Sequence, residues 1–382
     1  MSLNVLVLGG VGFIGRNFVA YLIENNLVNS VRVVDKVLPA TAYLSAEHKK
    51  IFADSRVEFK QANLVNAEKV FSREDGKQFD IVFNLAAETK YGQAEEVYDE
   101  KVYQLSVTVA KEAAKRKIRA FVEVSTGQVY EAGKKPSAED GKIKPWTLIA
   151  KAKAKAEEEI TKIPGLNLII IRPAIVYGPF DILGITPRLI IGAVYSHLKE
   201  EMKFLWTKDL KINTVHVADV VRALWHVSAT VEEKGGRVSP DIASPEIYNL
   251  ADKGDTGNQS LTIDQGTVNT FIEKIFNIST GFQGTVVSQF AKLNLESITE
   301  DVNEKHLQPW SELCKAGEIA NTPLTPYLDR ELLKDNALSI DGSKIEKTLN
   351  FKYIHPEMTE ALVRQVIDEF VQAKIWPAGT TK

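Results

Sequence analysis

The stretch NVLVLGGVGFIGRN, residues 4–17, decides the fold: an apolar run (Val5, Leu6, Val7, Leu8) gives way to glycines and then to a helical pattern. It reads as strand, tight turn and helix. Gly9, Gly12 and Gly15 recur every three residues, and Gly10, Gly12 and Gly15 also satisfy G-x-G-x-x-G, so two registers of the turn stay open. Either brings bare backbone against a phosphate. Glycine permits positive φ and lacks the Cβ that would hold a pyrophosphate away, while the unpaired N–H groups opening the next helix attract an anion. Gly9, Gly12, Phe13, Ile14 and Gly15 are therefore candidate phosphate contacts. An amphipathic pattern follows (Phe18, Val19, Leu22, Ile23), then a second strand over residues 31–34 that ends at Asp35, twenty residues beyond Gly15. An acid at that spacing meets the adenosine ribose hydroxyls of a dinucleotide and repels a 2′-phosphate. The cofactor expected is NAD, with Lys36 as the neighbour able to receive the phosphate of NADP.

The bulk numbers set limits on the rest. At 382 residues, 44% hydrophobic and 25% charged, the chain has an ordinary globular composition and exceeds the length at which single cores stop growing, so two lobes are expected. A net charge of -3 offers no general basic field for nucleic acid, and KRKIR at residues 115–119 reads as the end of a solvated helix. The single cysteine, Cys314, excludes an internal disulfide framework and is read as structural. The first strand begins about four residues in, and no apolar run approaches membrane-spanning length, so a cytoplasmic protein without a membrane span is expected. No metal-ligand pattern stands out.

Beyond Asp35 the strand and helix signals continue to alternate. A possible helix over residues 44–52 precedes a third strand near 57–59, at whose end Asn63 and Leu64 could meet an adenine. The fourth strand, residues 81–83, is apolar throughout, as buried parallel strands are, and runs into Leu85, Ala86 and Ala87, whose small alanines leave room for a cofactor backbone. A helix over 102–117 leads to a fifth strand, 121–124, and then to Ser125, Thr126, Gly127, Gln128, Val129 and Tyr130. A long helix opens within PWTLIAKAKAKAEEEI, and a strand over 166–171 exits through RPAIVYGP, where Pro173 fixes φ near the crevice. Further expectations are an apolar helix over 187–197, a strand over 204–206, Asp219 as the N-cap of a helix, and His216 as a half-buried strand histidine. A polar loop over 228–246, a last strand in YNLAD (248–252), and helices over 268–276 and 357–373 complete the reading.

The fold expected is α/β: a Rossmann doubly wound parallel sheet with a smaller, discontinuous C-terminal substrate lobe. Residues 1–179, completed by about 209–227 and 246–252, form the dinucleotide-binding domain, and residues 180–208 and 253–382 mainly form the substrate lobe.

GGVGFIG, the Asp35 strand end, NLAA, STGQVY, RPAIVYGP, NTVHVADVVRAL, YNLAD and ALSIDGSKIEKTLNF occur in the order found in one family. In them the chain resembles the extended short-chain dehydrogenase/reductases, which include nucleotide-sugar epimerases and dehydratases and the 3β-hydroxysteroid dehydrogenases. The segment from PRLIIGAVYSHLKEEMKFLW to VHVADVVRAL resembles the 3β-hydroxysteroid branch somewhat more. The resemblance implies a Ser or Thr that polarises the substrate oxygen, a Tyr that transfers its proton, and a Lys four residues later that lowers the tyrosine pKa and holds the nicotinamide ribose. Thr126 falls on the first position; Lys153 or Lys151 falls on the last, Lys153 being preferred because Glu157 then takes the place of the family helix's acid. The tyrosine is missing: four residues before Lys151 stands Thr147, and before Lys153, Ile149. The dehydratase branch also carries Asp and Glu directly after the Thr, where this chain has Gly127 and Gln128, which disfavours sugar dehydration by that route. A positioned acid or base contributes about 10²–10⁴ in rate, so two readings follow. One is an NAD-dependent oxidoreductase or epimerase acting on a secondary alcohol or ketone, with the proton carried by Tyr130, Tyr91, or Thr126 and a water. The other is a non-catalytic dinucleotide-binding sensor or assembly subunit. The partners expected are a small-molecule substrate and a second copy or larger assembly.

Overall fold

In the computed structural model, residues 3–233, 245–253 and 263–381 are described. The first half alternates strands β1 (Asn4–Leu8), β2 (Ser30–Asp35), β3 (Val57–Gln61), β4 (Ile81–Asn84), β5 (Ala120–Val124) and β6 (Leu168–Pro173) with helices. These helices are α1 (Phe13–Glu24), α2 (Ala46–Phe52), α3 (Ala67–Phe71), α4 (Glu95–Tyr98), α5 (Leu105–Lys115) and α6 (Leu148–Thr161). After β7 (Ile175–Tyr177) come α7 (Thr186–Leu198), β8 (Met202–Phe204), β9 (Thr214–His216), α8 (Val217–Glu233) and β10 (Glu246–Leu250). The remainder holds α9 (Gln265–Phe276), β11 (Thr280–Phe282), α10 (Thr285–Leu293), α11 (Leu295–Ala316), α12 (Lys344–Leu349) and α13 (Glu360–Gln372).

Seven strands make one sheet in the order β10-β6-β5-β4-β1-β2-β3, and every pairing is parallel. Both faces are covered, as continuous apolar strands require. Val5, Val7, Val31, Val33 and Phe83 pack on Phe18, Leu22, Val220 and Leu224 of α1 and α8. Their alternates Leu6, Leu8, Val34 and Val82 pack on Val70, Val109 and Ala113 of α3 and α5. The chain winds outward from β1 to β3 and then returns to β4 on the other side of β1. The strand order therefore reverses between β1 and β4, and the crevice at their carboxyl ends is where doubly wound sheets bind ligands.

A second core lies between α7, α9, α11 and α13, around Leu189, Val194, Ile272, Phe276, Trp310, Phe370 and Trp376. The C-terminal stretch does not all belong to it: Leu338, Ile340, Ile345, Phe351 and Tyr353 pack into the sheet's own core. Backbone placement explains this, since Ile340 N–H donates to Asn213 Oδ1 at 2.7 Å and Asn249 Nδ2 to Asp341 O at 3.2 Å.

Several expectations shift. Asp219 is not an N-cap: it lies inside the first turn of α8, wholly buried, and its carboxylate accepts the N–H groups of Ile354 and His355 at 2.8 Å each. The strand expected at 204–206 is Met202–Phe204, and Trp206 takes a positive φ of 72°. The helix expected from 102 begins at Glu95 and passes through a π-helical stretch, Asp99–Gln104, before α5. Of the loop expected at 228–246, α8 claims residues to Glu233, and residues 234–244 lie outside those described. His216 is more than half-buried, at 4% exposure. No helix among the described residues is long and apolar enough to cross a membrane.

Three buried histidines, His48, His216 and His306, are each pushed by burial from 6.5 down to about 4. They stay neutral in the native state while the unfolded chain protonates near 6.5, so they contribute full stability above pH 6.5 and lose it as pH falls towards 4. Each is expected to steepen the decline in unfolding free energy by up to about 1.4 kcal/mol per pH unit in that window. Urea melts between pH 7 and 4 measure it, and His306→Leu should flatten the slope by about one proton, because neither nitrogen of that ring has a hydrogen-bond partner among the described residues.

Candidate active site

The β1–α1 turn divides its labour among the glycines. Gly9 has φ of 74°, donates its N–H to Val34 O at 2.8 Å, and would place a Cβ 2.7 Å from the Ala86 backbone. A Cβ on Gly15 would lie 2.4 Å from Gly9 O, so that residue lets α1 close onto the turn. Gly10 instead abuts the Val33 side chain. Gly12 is different: within 4 Å its Cβ would meet only Gly9 O, at 3.3 Å, and it caps α1 without a side-chain hydrogen bond. The opening N–H groups at Phe13 and Ile14 have no partner within a helix, so an open cradle with unspent donors sits at the switch point of the sheet.

Asp35, the last residue of β2, leans over that cradle. Its Oδ2 accepts the Val11 N–H at 3.1 Å and its Oδ1 the Val37 N–H at 3.0 Å. A carboxylate has about four acceptor sites, so two are still available to a diol. Lys36 is turned to Glu88, 3.4 Å away. Asn63, just past the end of β3, accepts the Val65 N–H on Oδ1 at 3.2 Å, and Leu64 beside it is buried. At the exit of β4, Leu85 N donates to Leu8 O at 2.9 Å and Ala86 N to Asn84 Oδ1 at 3.3 Å, with Ala87 partly buried beyond them. Pro173 closes β6, and its carbonyl lies 3.2 Å from where a Cβ on Gly127 would be. That Cβ would also meet Ile340 Cδ1 at 2.9 Å, so an acid at position 127 would have to displace the Ile340 side chain.

Hydroxyls gather at the end of β5. Thr126 Oγ1 accepts the Gln128 N–H at 3.2 Å, and the Gln128 side chain accepts from Thr147 Oγ1 at 3.0 Å and donates to Tyr91 Oη at 3.3 Å. Thr147 is the N-cap of α6, accepting from Ala150 N at 3.1 Å. Gln128 therefore draws together Thr126, Tyr91 and the start of α6. Burial, reinforced by the charge of Glu331, pushes Tyr91 up to about 12, so its phenol keeps its proton at neutral pH.

The other candidates go elsewhere. Lys153 is buried and gives its ammonium to Glu123 Oε1 at 3.1 Å and Val124 O at 2.7 Å. Glu123, itself wholly buried, also accepts from Ser106 Oγ at 2.9 Å and Asn84 Nδ2 at 2.6 Å. An ammonium has three N–H donors, so one is left to face a ligand. The Lys151 side chain is exposed. The Tyr130 hydroxyl donates to Asn249 Oδ1 at 2.8 Å and accepts from Arg172 Nη1 at 2.7 Å, which fixes it in the core rather than beside Thr126. Glu157 pairs with that same Arg172, Nε to Oε2 at 3.1 Å. Ile149, where a phenol would stand in register with Lys153, packs with Ala87 beside Tyr98 and Val102.

Two acids that the sequence reading did not single out complete the picture. Glu123 carried a signal, being the one charge in an otherwise apolar central strand; Glu331, from a remote segment, carried none.

A family model, the NAD dependent epimerase/dehydratase family, matches residues 5–251. Human dTDP-D-glucose 4,6-dehydratase is 26% identical over 320 residues, 80% of this chain and 77% of that protein. Among solved structures, UDP-glucuronic acid 4-epimerase from Bacillus cereus, with UDP-glucuronic acid and NAD, superposes with a TM-score of 0.67 at 17% identity, covering 97% of this chain and 99% of that one. DesIV, a dTDP-glucose 4,6-dehydratase from Streptomyces venezuelae with NAD and TYD bound, gives 0.65 at 19% identity, covering 97% of each chain. With the doubly wound sheet, the glycine cradle and a family match across most of the sheet domain, this chain belongs to the NAD-dependent epimerase/dehydratase family.

Proposed function

We propose that this chain binds NAD(H) across the carboxyl ends of β1, β2 and β4 and acts on a secondary alcohol or ketone of a nucleotide-sugar-like substrate, as an oxidoreductase or epimerase. The observation that carries the reading is Gly12, where a side chain would meet nothing within 4 Å but Gly9 O, beside unspent helix N–H groups. NAD, when bound, supplies the acceptor and donor of a hydride. In this reading the backbone at Gly12, Phe13 and Ile14 holds the pyrophosphate, Asp35 the adenosine ribose, and Asn63 and Leu64 the adenine. Leu85, Ala86, Ala87 and Pro173 line the path to the reacting end, where the remaining N–H of Lys153 is offered to the nicotinamide ribose. Thr126 polarises the substrate oxygen, aided by the neutral Tyr91 phenol. The second lobe, built on residues 180–208 and on α9, α11 and α13, provides the substrate wall. Sugar nucleotides are favoured over 3β-hydroxysteroids by the relatives, a dTDP-D-glucose dehydratase and an epimerase bound to UDP-glucuronic acid.

A second reading, a dinucleotide-binding sensor or assembly subunit without turnover, is favoured by one observation: Ile149 replaces the phenol while Lys153 is paired with Glu123.

Gly12→Val is expected to leave the fold intact and abolish NAD binding by calorimetry, whereas Gly15→Ala, whose Cβ strikes Gly9 O, should lose at least about 1–3 kcal/mol of stability in urea. Normal NAD affinity in Gly12→Val removes the cradle reading. Asp35 should favour NAD over NADP by roughly 10- to 100-fold, as one charge-assisted hydrogen bond allows, and equal affinities would contradict its role. With UDP-glucose, UDP-glucuronic acid and dTDP-glucose as a panel, single-turnover hydride transfer followed by nicotinamide absorbance should drop about 10²-fold or more in Thr126→Val. Tight NAD binding without turnover of any panel member selects the second reading.

A further inference from the structure

We propose that Glu331 is the general base of this site, brought from the second lobe to take the proton of a substrate hydroxyl held beside Thr126. This rests on the oxidoreductase or epimerase reading above and supplies the group which that reading lacks.

Glu331 stands in a short 3-10 turn, Arg330–Leu333, started by Asp329, whose Oδ1 accepts the Glu331 N–H at 2.8 Å. The turn is anchored by Trp206, whose ring N–H donates to Leu333 O at 2.9 Å. Its contact with the sheet domain is specific. Glu331 Oε1 accepts the N–H of Leu148 at 3.0 Å, the first residue of α6. Leu148 lies between Thr147, which is bonded to Gln128, and Ile149, which occupies the place of the missing phenol. On the other side, a Cβ on Gly92 would lie 2.6 Å from Asp329 Oδ2, so the turn is pressed against the loop that carries Tyr91.

Glu331 is 7% exposed, and its second oxygen, Oε2, is buried without a hydrogen-bond partner among the described residues. A buried carboxylate oxygen with nothing to accept is costly and calls for a reason. The Leu148 N–H and the Lys334 ammonium, 3.8 Å away, both engage Oε1, so Oε2 is the oxygen left to accept a proton. None of the other candidates named above is ready to act as the base. Tyr91 holds its proton to about 12, Tyr130 is spent on Asn249 and Arg172, and Glu123 is buried and already accepts from Lys153, Ser106 and Asn84.

In the oxidising direction the substrate O–H bond breaks and its proton passes to Glu331 Oε2. The C–H bond electrons leave with the hydrogen as hydride to the nicotinamide ring, and the carbonyl forms. In the reverse direction the protonated Glu331 returns the proton to the carbonyl oxygen as hydride returns to carbon, which is also what an epimerase needs of one group acting twice.

The test is Glu331→Gln, which keeps a carbonyl oxygen for the Leu148 N–H and removes only the base. Hydride transfer with the UDP-glucose, UDP-glucuronic acid and dTDP-glucose panel should fall by about 10²-fold or more, with NAD affinity by calorimetry unchanged. Because the amide is neutral where the carboxylate oxygen was buried and unpaired, the urea midpoint should stay equal or rise. Glu331→Ala should regain at least about tenfold of its lost rate with added formate, which stands in for the missing carboxylate. Wild-type turnover that Glu331→Gln leaves within threefold overturns the base while sparing the reading it rests on, and so does a lowered midpoint with unchanged turnover. Wild-type protein that binds NAD and turns over nothing in the panel overturns both.

Discussion

The pair between Lys153 and Glu123, sealed inside the sheet domain, is the interaction on which the candidate site depends. Two opposite charges removed from water recover their desolvation cost only if every remaining lone pair and proton is used. Glu123 comes close to that condition, with three of its about four acceptor sites taken by Lys153, Ser106 and Asn84. The network thereby ties β4, β5, α5 and α6 into one block beneath the crevice, and a partly satisfied version would be worse than an apolar core. A consequence is that Lys153 has most of its bonding capacity spent inside the fold. In the function proposed above, the chemistry of the site then falls to the neutral hydroxyl of Thr126 and to an acid arriving from another part of the chain.

The parts of the fold that were legible in the sequence are those fixed by local sterics. Glycines at 9 and 15 announce a turn because no other residue tolerates a Cβ 2.7 or 2.4 Å from backbone, and the central strands of the sheet read plainly because both of their faces are apolar. The place of Asp35 at the end of β2, beside the turn, was legible for the same reason: its spacing is set by one helix and one strand.

What could not be read depends on distant partners. Tyr130 looked like a free hydroxyl at a strand end until Asn249, 119 residues on, claimed it. Asp219 has the sequence setting of a helix cap, yet it serves Ile354 and His355, more than 130 residues away. Helix α11 was not anticipated as one 22-residue element, since Pro309 interrupts it and its surface is largely polar, while only a few residues such as Trp310 carry its packing. Glu331 had no local signal at all, because its meaning comes from the Leu148 N–H that it meets.

The clamp of Asp219 on residues 354 and 355, together with Asn213 on Ile340, also bears on how the molecule comes into being. The sheet has only parallel pairings, none of which can form as a hairpin, and its core is closed by a segment that leaves the ribosome some 350 residues after β1. Contacts of such long sequence separation are slow to form, because loop closure must be met before they reward the chain. During synthesis the nascent sheet therefore exposes the apolar surface that Leu338, Ile340, Phe351 and Tyr353 will later cover, and this interval is where chaperone engagement or self-association competes with folding.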